Sequence, residues 1–201
     1  MIVKAVAPDV SQAELARRKL TGTDRWDEMW EGVLHLAPAP YDEHQRLLGE
    51  LLVFLLPLLR ERARGTLRAG INVFRESSPL EDYRIPDLTF VARGREAILA
   101  KDGVRGGGPD AVLEIRSPGD ETYEKLGFFA ALGVRELVVV DRDTKRTEVF
   151  RPGRSGYTAV AAESDGSVVA AVMGVRFRVV GADAPLLFVE DSADPARRVE
   201  I

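Results

Sequence analysis

The chain has 201 residues, of which 45% are hydrophobic and 30% charged, and its formal net charge is −4. That length and balance describe one folded domain with a substantial core rather than a disordered segment, and the acidic total excludes a surface coated in basic side chains for non-specific nucleic-acid binding. Cysteine is absent, which removes disulfides, zinc–thiolate sites and cysteine nucleophiles.

No secretory leader is legible, because Pro8 and Asp9 stand where an apolar run should lie. The longest apolar run, Leu51 to Leu59, contains Pro57 and is too short to span a bilayer. A cytoplasmic protein without a membrane partner is expected. Ser11 followed by Glu14 predicts a capped helix over Gln12 to Leu20, broken by Thr21-Gly22-Thr23-Asp24. Trp26 to Trp30 and Val33 to Leu36 flank Glu31-Gly32 and read as a β-hairpin. The longest helix follows, about Glu43 to Arg64. Its Leu47, Leu48, Leu51, Leu52, Leu55 and Leu59 recur at helical spacing as the main core face, and Pro57 is expected to kink it.

Leu67 to Phe74 then reads as a strand with Gly70 inside it, and Arg75 to Arg84 as a charged loop. Ile85-Pro86-Asp87 leads into the short strand Leu88 to Val91. Gly106-Gly107-Gly108 lacks the ending of a phosphate loop and reads as a mobile connection. Ala111 to Arg116 forms the next strand, with Ser117-Pro118 opening a helix that carries Lys125, and Leu137 to Val140 is a further strand. Glu148 to Arg151, Tyr157 to Ala161 and Ser167 to Val172 are separated by glycine-containing turns and predict an antiparallel meander. Phe177 to Val180 and Leu186 to Val189 would close the sheet. The domain is expected over 1–189, with 190–201 a polar, flexible tail.

Glu114 lies inside an apolar strand, where a charge is costly unless paired. Alternation puts it with Val112 and Arg116, opposite Ala111, Leu113 and Ile115. Two carboxylates, Asp87 and Glu114, beside Lys125 form the usual protein half of a divalent-metal hydrolytic site. Each residue also has an ordinary structural reading: Asp87 as a turn residue, Glu114 in an internal ion pair, Lys125 with its stem along an apolar face. On the long helix, Glu43 and Glu50 share a face, and either Glu50 or His44 could reach such a site. His35 has no evident partner. Two histidines and no cysteine make zinc a poor fit.

The ordered set Asp24-Arg25-Trp26, Glu31-Gly32-Val33-Leu34, Glu43-His44-Gln45, Gly49-Glu50-Leu51, Arg84-Ile85-Pro86-Asp87-Leu88, Val112 to Pro118, Lys125 and Gly133 to Asp141 resembles the Uma-type restriction endonuclease family. That family is a bacterial branch of the PD-(D/E)XK nuclease-like superfamily, and the likeness covers about Asp24 to Leu187. It implies an α+β fold with a restriction-endonuclease-like core, a mixed central sheet and flanking helices, here with an N-terminal hairpin and a C-terminal meander. It carries Asp87 and Glu114 over as ligands of Mg²⁺ or Mn²⁺, with the Leu113 or Ile115 carbonyl as a further oxygen donor. The superfamily lysine, two residues after the second acid, is here Arg116, which stays protonated; the family's lysine matches Lys125 instead. Glu50 matches the superfamily's acidic helix position, with Glu43 competing.

The implied activity is metal-dependent hydrolysis of DNA phosphodiester bonds, with Asp87, Glu114, Lys125 and Glu50 catalytic. Arg84, Arg93, Arg95, Lys101, Arg105 and Arg116 are candidates to line a DNA cleft, and homodimerisation is left open. Two other classes stay open: a non-catalytic binding or dimerisation scaffold that keeps the fold, and a hydrolase of small phosphoesters.

Overall fold

The computed structural model describes residues 11–78, 81–181 and 183–201; Pro8 and Asp9, read above against a leader, lie outside the described residues. Helix α1 (Gln12–Thr21) opens as the capping pattern predicts. The Ser11 side chain accepts the Glu14 amide, and Gly22 ends the helix at φ 70°, a left-handed turn that suits glycine. A 3-10 turn occupies Thr23–Trp26, so the hairpin begins later than Trp26. Strand β1 (Glu28–Trp30) pairs with β2 (Val33–His35) across Glu31 and Gly32. Both of these have positive φ, the turn geometry that matches strand twist.

Helix α2 (Asp42–Glu61) buries Leu47, Leu51, Leu55, Leu58 and Leu59. It continues through Pro57. Proline leaves the Val53 carbonyl without its helical donor, and Val53 is 72% exposed, so water can take that bond. The expected strand Leu67 to Phe74 is instead two, β3 (Gly65–Ala69) and β4 (Val73–Phe74), in different sheets. The chain turns between them at Gly70, whose φ is 55° and where an added β-carbon would lie 3.1 Å from the Trp26 ring. The charged segment contains β5 (Tyr83–Arg84), and β6 (Leu88–Ala92) follows. The glycine-rich connection carries β7 (Leu99–Ala100) and β8 (Gly103–Val104). It is also pinned: the Gly106 amide donates to Glu76 and the Gly108 amide to the Leu132 carbonyl.

Strand β9 (Ala111–Arg116), helix α3 (Leu126–Ala131) and β10 (Glu136–Asp141) form the centre. The helix expected from Ser117-Pro118 starts later, because the Ser117 amide donates to Asp120 in a turn. Lys125 ends a 3-10 turn, Tyr123–Lys125, that runs into α3. After these come β11 (Thr147–Gly153), β12 (Gly156–Ala159), β13 (Val168–Ala170), β14 (Val175–Val180), β15 (Leu186–Asp191) and β16 (Asp194–Glu200).

Among the described residues the strands make three sheets. The central one has the order β12-β11-β10-β9-β6-β3; a second is β2-β1-β5-β4-β8-β7, and a third is β13-β14-β15-β16. In the central sheet β9 and β10 run parallel, and the other pairings are antiparallel. The expected meander therefore divides, with β11 and β12 extending the central sheet and β13 starting the third. The fold is mixed α+β.

Two cores flank the central sheet. On one side α2 packs against Leu113, Ile115, Val138 and Val140, and the third sheet adds Val175, Phe177, Leu187 and Val189. On the other, Phe128 and Phe129 of α3 meet Val112, Leu137 and Val139, with Val73 and Val104 from the second sheet. The strand alternation thus sends Leu113 and Ile115 to α2, and Val112 and Glu114 to the α3 side.

Residues 190–201 are not the loose tail expected. Strand β16 pairs with β15, the Ile201 amide and carbonyl bond to Leu187, and Ile201 is 4% exposed in the main core. Ending the chain at Glu190 removes a strand and uncovers apolar area worth about 25 cal/mol per Å². Thermal melting should show a transition lowered by several degrees. A truncated protein melting with the full chain would restore the tail reading.

Candidate active site

Strands β6 and β9 pair with Leu88 opposite Leu113. One step further in that register, Asp87 faces Glu114, and directly opposed residues project from the same face. The Ile115 amide donates to Asp87 Oδ2 at 2.6 Å. The Ile115 carbonyl leaves the strand on the same edge as its amide. Asp87, just ahead of β6, is thereby held beside the carboxyl-terminal half of β9, which carries Glu114.

Lys125 comes to them from the turn ahead of α3. Its Nζ lies 2.8 Å from Glu28 Oε1 and 3.4 Å from Glu114 Oε1. Glu28 is the residue that the sequence reading missed. It is held on both oxygens: Oε1 also accepts the Ile85 amide and Oε2 the Trp30 indole N–H, each at 2.8 Å. The available signal was an acid two residues before a tryptophan in a short hairpin strand, on the same face by alternation. The hairpin is fixed over this centre by His35, which stacks on Trp30 at 3.9 Å and pairs with Glu121 at 2.8 Å.

His44, near the start of α2, approaches Asp87 from the other side, Nε2 to Oδ1 at 3.3 Å. Burial disfavours its charged form, but Asp87 and Asp120 outweigh that and raise its pKa. Burial pushes the Glu114 carboxyl up to about 8; Lys125 opposes the rise, and Asp87 and Glu28 add to it. Lys125 loses solvation too, yet Glu114 and Glu28 hold it well above the ordinary amine value. Two acids contact one buried ammonium and Asp87 acts on it from further away, so acids outnumber the one amine in this centre.

Both Glu114 and His44 have folded pKa values above their ordinary ones. Their contribution to stability is complete at low pH and is lost as pH rises through the folded values. For Glu114 the loss runs from about 4.5 to about 8; the Lys125 shift acts only above its ordinary 10.5. Metal-free protein should therefore melt progressively lower across that window, and Glu114→Gln should flatten the profile. An identical slope in the variant would remove Glu114 as its source.

Glu50 does not join the site: it lies on the exposed face of α2 beside Arg46. Glu43, on the same face, pairs with Arg46 and Lys145. The helix instead presents His44 to Asp87. The expected basic lining is also largely absent. Arg84 is buried, paired with Asp82 and stacked over Trp30 and Phe128. Arg95 pairs with Asp110, and Arg105 with Asp102 and Glu76. Arg93 and Lys101 are exposed on the connection between β6 and β8, and Arg116 alone lies on the strand of Glu114.

Among the described residues no three carboxylate, imidazole or thiolate side chains converge as a ready cation cage. The donor chemistry still suits a hard divalent cation, since Mg²⁺ is commonly held by one or two carboxylates with water and substrate oxygens completing its shell.

Comparison with known proteins adds three findings. The family model described as "Uma2: Putative restriction endonuclease" matches residues 13–180. A crystal structure from Anabaena variabilis ATCC 29413, titled as that of "a putative nuclease belonging to DUF820", superposes with a TM-score of 0.60 at 17% identity, over 82% of this chain and 92% of that one. No curated protein matches the sequence. Among the described residues no helix is long and apolar enough to cross a membrane.

Proposed function

The chain belongs to the Uma2 family, described as "Putative restriction endonuclease", and we propose that it is a nuclease that hydrolyses DNA phosphodiester bonds with Mg²⁺ or Mn²⁺. The observation that supports this reading is Asp87 bonded to the Ile115 amide beside Glu114, with the Lys125 ammonium 3.4 Å from Glu114. Asp87 and Glu114 would hold the cation, with the Ile115 carbonyl as a third oxygen donor. When bound, the cation would supply Lewis-acid polarisation of the phosphate and a lowered pKa for the attacking water.

The chain's own residues divide the remaining work. Lys125 places fixed positive charge where negative charge grows on the phosphate, in a site shielded from water, where it acts most strongly. Glu28 positions that ammonium. Because Glu28 is the nearer partner at 2.8 Å, Glu114 can turn to a cation without leaving Lys125 unpaired. The Lys125–Glu28 pair is neutral, so Asp87 and Glu114 supply the two negative charges that a divalent ion balances. His44 fixes the Asp87 carboxylate.

A second reading, a scaffold that keeps the fold without catalysis, draws on the same contacts, since each charged group already has a protein partner. The test is cleavage of single-stranded, duplex and branched DNA with Mg²⁺ and with Mn²⁺, beside calorimetric titration of each metal. Metal-dependent cleavage that is lost in Asp87→Asn supports the nuclease. No cleavage, with metal binding equal in wild type and Asp87→Asn, leaves the scaffold.

A further inference from the structure

The surface around this centre is poor in unpaired basic side chains but carries two exposed tyrosines, each beneath an arginine. Tyr41 immediately precedes α2, three residues before His44, and is 61% exposed, with the Arg142 guanidinium 5.2 Å from its ring centroid. Tyr123, two residues before Lys125, is 42% exposed, with Arg116 at 5.2 Å. The two pairs are linked, because the Arg142 amide donates to the Arg116 carbonyl at 2.8 Å. Tyr41, Arg142, Arg116 and Tyr123 thus form one arc beyond the carboxyl ends of the parallel strands β9 and β10, where open α/β sheets bind ligands.

A cleft of about 330 Å³ opens at the Arg116–Tyr123 end of this arc, lined also by Val139, Asp141, Arg146 and Glu148. That volume is at the small end of ligand-sized clefts. Val139 is the in-register neighbour of Glu114, so the cleft floor abuts the acidic centre one strand away. Its arginines are partly matched by acids, Arg116 by Asp141 and Arg146 by Glu148. A duplex-binding face gains most of its affinity from phosphate-neutralising charge. This face offers little of that, and offers instead aromatic rings with arginine planes, which stack unpaired bases.

Resting on the nuclease reading of the adjacent site, we propose that the substrate is an unpaired nucleic-acid strand, whose bases stack on Tyr123 and Tyr41 on either side of the scissile phosphate. The shared chemistry is a nucleobase on a phosphodiester backbone, in DNA or RNA.

The test is fluorescence anisotropy of the full chain, in chelator to prevent cleavage, with one labelled sequence as single-stranded DNA, single-stranded RNA and annealed duplex. The single strand should bind roughly tenfold more tightly than the duplex. Tyr41→Ala and Tyr123→Ala should each weaken it by roughly tenfold, the scale of one stacked base. Tyr123→Phe, which keeps the ring and loses only the hydroxyl bonded to Glu148, should bind as wild type and controls for local structure. The stronger of the two single-strand arms identifies the sugar. Equal or tighter binding of duplex, alanine variants that bind as wild type, or no binding of either strand overturns the proposal. Cleavage of duplex alone would overturn it while leaving the nuclease. Tyrosine-dependent single-strand binding without cleavage in any metal would keep it and remove the nuclease.

Discussion

Asp87→Asn and Glu114→Gln should each reduce metal-dependent cleavage by on the order of a thousandfold or more, with the protein still folded. Each substitution keeps the shape of the side chain and removes one of two negative charges facing each other across β6 and β9. A bound cation supplies several kcal/mol of transition-state stabilisation, and each 1.36 kcal/mol is tenfold in rate. Glu114→Gln should also raise the melting temperature of metal-free protein at pH 8 and above, where the wild-type carboxyl is forced to ionise among other acids. Single-turnover cleavage, calorimetric metal titration and a thermal melt read these quantities separately. A Glu114→Gln protein that cleaves at the wild-type rate would remove Glu114 from the mechanism.

Lys125→Met should produce the second large effect, in stability as well as in rate. The ammonium is the common partner of Glu28 and Glu114. Removing it leaves two buried acids without compensation, and breaking a buried pair from one side costs about 3–5 kcal/mol. The double variant Glu28→Gln/Lys125→Met should recover part of that loss, because the orphaned charge goes with it, while cleavage remains impaired. Urea denaturation of the two proteins and of wild type is the measurement. If Lys125→Met alone is as stable as wild type, the pair is not the keystone its geometry indicates.

The sequence made the leucine face of α2 and the alternation of β9 legible because both are short-range periodic patterns whose buried side is apolar. Asp87 and Glu114 were legible for a related reason: an acid at a strand entrance and an acid within an apolar strand are local anomalies. Glu28 was not, because its significance comes from Lys125, which is remote in sequence. Glu50 was misplaced for a geometric reason. Helical spacing shows that Glu43 and Glu50 share a face, but not that this face turns to solvent while His44 turns to Asp87. The last strand resembled a tail because charges such as Arg197 and Arg198 are what an edge strand carries to avoid pairing with other chains. Leu67 to Phe74 read as one strand because nothing local announces that Trp26 packs against Gly70 and that the chain changes sheets there.

The docking of the hairpin onto the turn before α3 joins parts of the chain that are far apart in sequence. Asp87 and Glu114 meet as soon as β6 pairs with β9, two strands joined by a modest connection. Glu28 and Lys125 meet only when the N-terminal hairpin closes back over the turn from Asp120 to Lys125, and long-range closures pay their entropy before contacts reward it. With the hairpin locally undocked, Lys125 keeps Glu114 as a partner and loses the nearer carboxylate of Glu28. The contact of Lys125 with Glu28 therefore belongs only to a chain whose hairpin has docked.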